Sequence, residues 1–257
     1  MSLTKHQREA LFHYCLRLGD DHLILGHRLS ELCGKGPFLE EDIALSNISL
    51  DSTGAASLFL KLAGEIEGEG RSADDLAFFR DEWQFENAEL VEQENTDFAY
   101  VIVRQFLFDS YITLLLTELT KSPRKKLSEI AAKTLKEATY HLRHSSTWII
   151  RLGDGTKESH QRVKEALDFL WTYTDELFEV DDKEARLIKA GLVPDKAELK
   201  SDWLKIVRDT LLQARLELPS SDRYMASGAR WGQHSECLGI LLAEMQSLAR
   251  AHPGAVW

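Results

Sequence analysis

The stretch NTDFAYVIVRQFLFDSYITLLLTEL, residues 95–119, decides the fold. Phe98, Ile102, Gln105, Asp109, Ile112 and Leu116 recur at three- and four-residue intervals, the spacing that puts side chains on one face of an α-helix. The helix is expected to start near Asn95-Thr96-Asp97 and to run to about Leu119. Asp109 sits inside the apolar seam. A carboxylate there costs free energy unless it is paired or bound to a cation, so the stretch implies both a helical core and a polar centre within it.

Three more long helices read the same way. Thr4 to Cys33 carries Leu11, Tyr14, Leu18, Leu25, Leu29 and Leu32 on one face and stops at Gly34-Lys35-Gly36-Pro37. Leu39 to Glu67 has the seam Ala44, Ile48, Asp51, Ala55, Leu58 and Leu62. Ser122-Pro123 reads as a cap followed by proline at the first helical position. The helix after it, Arg124 to Leu152, presents Ile130, Thr134, Glu137, His141 and Trp148. Between the second and third helices, Ser72-Ala73-Asp74-Asp75 looks like a helix N-terminus, and Ala77 to Gln93 like short helical pieces. Further helices are expected from Lys157 to about Phe178, from Asp195 to about Leu216, and from near Ser235 to before Pro253. Asp181 to Pro194 reads as an acidic, broken segment. β-branched alternation is nearly absent, and only five prolines punctuate 257 residues. The expected fold is all-α: one domain over residues 1–257, with a four-helix core at about 4–152 and accessory helices at about 157–252.

Composition narrows the function. Net charge is −11 and the pI about 5.3, which disfavours a nucleic-acid partner because like charges repel. Three widely spaced cysteines, Cys15, Cys33 and Cys237, make neither a disulfide framework nor a zinc pattern. They read as reduced thiols of a cytoplasmic protein. The opening MSLTKHQREALFHY has no uninterrupted apolar region of the kind a secretory leader needs. No run of about 18 apolar residues occurs, so no membrane span is expected.

The chemistry lies in the acids. Asp20 or Asp21, Asp51, Asp109 and Glu137 fall on or beside the seams of the four long helices. Helical periodicity allows either Asp20 or Asp21 to face inward. A di-iron bundle takes one Glu from each of two helices and a Glu-x-x-His from each of the other two. None of the nine histidines has an acid three residues before it. The position three after Asp51 is Gly54, and three after Glu137 is Tyr140. His141, one turn beyond Glu137, is expected to pair with it rather than to ligate a metal. Arg28, Arg104, His141, Tyr14 and Tyr140 are the candidate partners for the acids. A hard cation held by carboxylates alone stays possible on ligand chemistry. The segment Asp81-Glu82-Trp83-Gln84-Phe85-Glu86 mixes charge and aromatics, which fits an interface or capping layer and equally a packed surface loop. Residues 228–236, GARWGQHSE, match neither phosphate fingerprint and read as a loop before the terminal helix.

Six stretches carry a family resemblance: LRLGDDHLILGHRLSELCG, EEDIALSNISLDSTGAA, FRDEWQFENAELVEQEN, VRQFLFDSY, KEATYHLRHSSTWIIRLGDGT and HSECLGILLAEMQ. In order, over nearly the whole chain, they resemble the C subunits of the ring-1,2-phenylacetyl-CoA epoxidases. That resemblance implies a ferritin-like four-helix bundle with additional C-terminal helices. It implies a structural, non-catalytic role in aerobic phenylacetate degradation, stabilising a catalytic di-iron A subunit and working with a B subunit and a reductase subunit. No cofactor is implied in this chain; the di-iron centre, FAD and iron–sulfur cluster belong to the partner subunits. Asp20 or Asp21, Asp51, Gly54, Asp109, Glu137 and Tyr140 would then stand at vestigial metal-site positions, with His141 beside them. The alternative is a self-sufficient carboxylate-bridged di-metal oxygenase or oxidase, and self-association of the chain alone is a further possibility.

Overall fold

The structure is a computed structural model that describes residues 3–220 and 222–255. Met1 and Ser2, the first residues of the segment read above for a leader, lie outside them. The described residues form α-helices and short 3-10 turns with no strand. They group into two compact units, and the grouping differs from the division expected near residue 152. The C-terminal segments are shared between the units. Asp182–Leu187 and Gly228–Trp257 join Met1–Glu94, while Ile188–Ser227 joins Asn95–Asp181.

The first unit is built on a helical hairpin, α1 (Lys5–Ser30) and α2 (Leu39–Glu67). Thr4 caps α1 reciprocally with Gln7: the Gln7 N–H donates to Thr4 Oγ1 (3.2 Å) and the Thr4 N–H to Gln7 Oε1 (3.0 Å), satisfying two donors that a helix start leaves open. The Asp42 carboxylate accepts the N–H groups of Gly34 (2.8 Å) and Gly36 (3.0 Å) and so folds the connection between the helices. The two helices run antiparallel and close. A Cβ on Gly19 would lie 2.6 Å from the Leu60 side chain, and one on Gly26 2.9 Å from Thr53 Oγ1. The Ser49 hydroxyl donates to the Gly26 carbonyl (2.7 Å) across the same contact. After α2 come α3 (Ala73–Phe78), a 3-10 turn at Glu82–Gln84 and α4 (Glu89–Glu92). A 3-10 turn at Ala229–Trp231, then α10 (Glu236–Met245) and α11 (Ser247–Ala251), complete this unit.

The second unit is centred on α5 (Phe98–Leu119), preceded by Asp97, which accepts the Tyr100 N–H (2.8 Å). Every residue from Ala99 to Ile112 is buried, as expected of a helix surrounded on all sides. By length and mean hydropathy α5 is apolar enough to cross a membrane, but Arg104, Gln105 and Asp109 interrupt its apolar residues and it is buried in the chain as a core helix. Around it pack α6 (Lys125–Gly153), α7 (Lys157–Leu170) and α9 (Lys200–Gln213). The buried positions of α6 are Leu127, Ala131, Thr134, Ala138, His141, Ser145 and Ile149, a three-four repeat of mostly small side chains that lets it approach α5 closely. The Trp203 indole N–H donates to the Leu107 carbonyl (3.1 Å), and the Trp203 ring meets those of Trp171 and Phe178 in tilted contacts at 5.3 Å each.

Several boundaries differ from the sequence reading. The cap of α6 is Arg124, not Ser122, and Pro123 precedes the helix. The Ser122 hydroxyl donates instead to the Leu192 carbonyl (2.6 Å). The helix expected over Lys157–Phe178 ends at Leu170 and continues as 3-10 turns. Asp182–Lys189, read as a broken segment, is a helix, α8.

Candidate functional site

The polar centre of the first unit starts at Asp20 and Asp21, and both are buried. Neighbours on a helix diverge by about 100°, so burying both requires cover over a wide arc of α1. Two loop segments supply it, and each brings an arginine. Arg80 grips Asp20 with both terminal nitrogens, one at 3.0 Å, and the Glu86 N–H donates to the same carboxylate (2.9 Å). Arg80 also donates to the Gln84 carbonyl (2.8 Å) and lies 4.1 Å over the Phe85 ring. Arg230 meets Asp21 fork to fork, both bonds 2.9 Å. The Ala88 N–H donates to Asp21 (2.8 Å), and Arg230 donates to the Glu86 carbonyl (2.8 Å). Burial pushes the Asp20 carboxyl above its ordinary pKa, and the Arg80 charge and hydrogen bonds offset part of that rise.

Two more acids extend the network. Glu86 binds His13 and accepts from Arg17 Nε (2.9 Å). Burial works to raise the Glu86 pKa, but the His13 hydrogen bond and the Arg17 charge together outweigh it and hold the group below its ordinary value. Glu92 accepts from Asn87 (2.8 Å), from the Ser235 N–H (2.7 Å) and hydroxyl (2.8 Å), and from His234 Nδ1 (2.8 Å). His234 Nε2 faces the Phe85 carbonyl (2.9 Å). With an acceptor at each ring nitrogen, the imidazole is held as the cation. Burial alone would lower its pKa; the Glu92 hydrogen bond and charge reverse that, and the value is raised.

Asp109 is buried in the second unit and contrasts with these acids. The Ser145 hydroxyl (2.8 Å) and the Gln105 amide (2.7 Å) donate to it. Burial pushes its pKa up to about 8 against those two bonds, so the carboxyl is largely neutral at pH 7. On α6, His141 is buried and Glu137 half-buried, while Tyr140 is exposed beneath the Arg143 guanidinium at 5.7 Å. On α2, Asp51 is half-buried at the margin of the seam, and Gly54 is exposed, with nothing within 4 Å of where a Cβ would stand. The positions three after Asp51 and Glu137 therefore lie at the surface.

Asp20 and Asp21 are met by Arg80 and Arg230, outside the set of expected cation partners. Arg28 donates to the backbone carbonyls of Glu92 (2.9 Å) and Cys237 (2.9 Å) and to Glu31 (2.8 Å), and Arg104 donates to Asn95 (2.6 Å). The arginines that meet Asp20 and Asp21, together with Glu86, Glu92 and His234, come from the two segments that had read as short helical pieces and as a plain loop. Their one sequence signal is that a buried acid pair requires cations, and Arg80 and Arg230 flank the aromatic residues Trp83 and Trp231. Among the described residues no group of three His, Cys, Asp or Glu could hold a metal ion.

The profile of the phenylacetic acid catabolic protein family matches residues 1–257. The chain is also similar to a curated relative, the C subunit of the 1,2-phenylacetyl-CoA epoxidase of Escherichia coli (strain K12). The two are 46% identical over 244 residues, which is 95% of this chain and 98% of that protein. On both grounds the chain belongs to the phenylacetic acid catabolic protein family, and its fold is the ferritin-like, all-α fold of that family.

Proposed function

We propose that this chain is the structural, non-catalytic subunit of a multicomponent phenylacetyl-CoA epoxidase in phenylacetate catabolism, a cytoplasmic protein that stabilises the catalytic di-iron subunit. The similarity to an epoxidase component over 95% of the chain supports the placement in such a complex. The observation that carries the non-catalytic role is the pairing of Asp20 with Arg80 and of Asp21 with Arg230. A di-iron bundle needs ionised carboxylates and neutral imidazoles facing one space. Here the acids of α1 are held by guanidinium groups, Asp109 is largely protonated at pH 7, and Gly54 offers no side chain. These residues do not fit a di-iron centre, and no reaction step is assigned to them. On this reading the di-iron, flavin and iron–sulfur groups belong to the catalytic and reductase subunits, and the assembly is completed by a small B subunit.

Metal analysis and co-expression test the proposal. The chain purified alone should hold no stoichiometric iron and turn over no phenylacetyl-CoA, and the catalytic subunit should lose solubility or activity without it. Two irons per chain, with turnover by the chain alone, would favour the self-sufficient oxygenase. A catalytic subunit equally soluble and active without this chain would remove the stabilising role.

A further inference from the structure

The first unit carries an aromatic face that its own core does not use. Trp83 is 68% exposed, Trp231 53%, Phe79 44%, Ile240 63% and Leu248 55%. Scattered exposed leucines are ordinary, but a group of large apolar side chains including two tryptophans marks an interaction surface.

The backbone brings these residues together. Gly232, beside Trp231, has φ +81° and lies so close to the Trp83 carbonyl that a Cβ would stand 2.4 Å from its oxygen. Gly239, beside Ile240, packs against the Glu82 carboxylate, 2.7 Å from where its Cβ would be. Gln246 donates to the carbonyls of Ala77 (3.1 Å) and Arg80 (2.9 Å), and Arg250 to that of Arg80 (2.8 Å). The turn at 82–84, the turn at 229–231, α10 and α11 therefore share one face.

The face is held rigidly from beneath. Arg80, three residues before Trp83, is fixed by Asp20, and Arg230, the residue before Trp231, by Asp21. Side chains presented on a backbone locked in this way lose little freedom on binding, which favours affinity. The rim is acidic. Asp81, Glu82, Glu236 and Glu244 are exposed, and the exposed arginine among them, Arg250, is drawn to Asp81 (3.2 Å). A second copy of the chain would set this acidic rim against its own likeness, and like charges across an interface are unfavourable. The complementary surface is an apolar centre ringed by lysine or arginine on a different protein.

We propose that the face formed by Phe79, Trp83, Trp231, Ile240 and Leu248 is a docking surface for a basic-rimmed protein partner, the catalytic subunit of the epoxidase. The identity of that partner rests on the function proposed above.

The test measures the affinity of the full chain for the purified catalytic subunit, with four forms of the chain. These are the wild type, Trp83→Ala/Trp231→Ala, Glu236→Lys/Glu244→Lys, and Leu39→Ser/Leu50→Ser on the exposed face of α2 as a control. Circular dichroism melts matching the wild type establish that each variant is folded. A hot-spot tryptophan costs about 30-fold in Kd when cut to alanine, so the tryptophan double variant should bind at least ~100-fold more weakly. The charge-reversed form should lose about tenfold, and its Kd should respond less to salt. The α2 control should bind as the wild type does. Wild-type binding with an unchanged tryptophan variant overturns the docking surface and leaves the functional reading standing. No wild-type binding at all overturns the reading and, with it, this proposal. A wild-type chain that self-associates through the same tryptophans, by sedimentation, assigns the face to a second copy and also overturns the proposal.

Discussion

Asp21→Ala is the sharpest perturbation of the polar centre. It takes from the Arg230 guanidinium, in a residue only 3% exposed, both of its bonds to a carboxylate, and it strips that acceptor from the Ala88 N–H. Removing one partner of a buried ion pair costs about 3–5 kcal/mol. An orphaned buried donor costs ~1–3 kcal/mol, part of the same desolvation, so about 4 kcal/mol is expected in all. In a chain of this size that lowers the melting temperature by roughly 10 °C. Arg230→Met should cost a similar amount, because it leaves the buried Asp21 carboxylate without its guanidinium.

The double variant Asp21→Leu/Arg230→Met removes both charges and replaces them with apolar side chains. It should lie within about 2 kcal/mol of the wild type, since replacing both partners of a buried pair is often near neutral. Urea denaturation at pH 7, followed by circular dichroism and tryptophan fluorescence, yields all four corners of the cycle. A single variant within about 1 kcal/mol of the wild type, or a double variant as unstable as the two singles added together, would refute the pairing as the stabilising element. The rescue also separates the two readings of Asp21, because Arg230→Met cannot restore a lost metal ligand.

Three further outcomes follow from other positions. Asp109 has a folded pKa of about 8, above the ordinary ~3.9. The folded state therefore keeps a proton that the unfolded state releases, and stability should fall as pH rises from about 4 to about 8, by at most ~1.4 kcal/mol per unit. Asp109→Asn should flatten that slope and melt higher at pH 7, and an unchanged slope would count against the neutral carboxyl. His234 has a raised folded pKa, so its contribution is complete below the ordinary value of about 6.5 and is lost as pH rises through the raised one. The melting gap between wild type and His234→Gln should be widest near pH 6 and close toward alkaline pH; a constant gap would disprove the charged imidazole. Gly54→Ala, at an exposed helical position whose Cβ would meet nothing within 4 Å, should stabilise the chain by roughly 0.5–1 kcal/mol in urea. Destabilisation there would mean that the α2 surface is closer packed than its exposure shows.

The long helices were legible because burial selects periodic apolar side chains. Leu39–Glu67 is where the sequence placed it, and Ile102, Gln105, Asp109, Ile112 and Leu116 are buried together on α5 as their spacing requires. Phase was less legible. On α6 the seam runs through Ala131, Ala138 and Ser145 rather than Ile130, Glu137 and Trp148. Small residues carry a weak hydrophobic signal even where close packing demands them. On α2, likewise, Asp51 falls at the seam margin while Ser49 and Ser52 are buried. The two units were not legible, because no shift in composition marks chain segments that leave one unit and return to it.

The partners of Asp20 and Asp21 were hidden for a different reason. A periodic pattern reports what one element needs, not which distant segment meets the need. An acid within an apolar surface demands a cation, and metal ions and arginines satisfy that demand equally well on electrostatic grounds. The choice is made by residues 60 and 209 positions away in the chain, in stretches with no periodicity to read. The demand is also specific. Arg80 and Arg230 would each be costly to bury elsewhere, so each acid admits its segment only in the register that brings the guanidinium to it. Two adjacent acids on α1 thereby fix two irregular segments, and with them the positions of Trp83 and Trp231. The same carboxylates that suggest a metal centre in the sequence can instead align a surface, because their bonds to Arg80 and Arg230 hold the segments that carry Trp83 and Trp231.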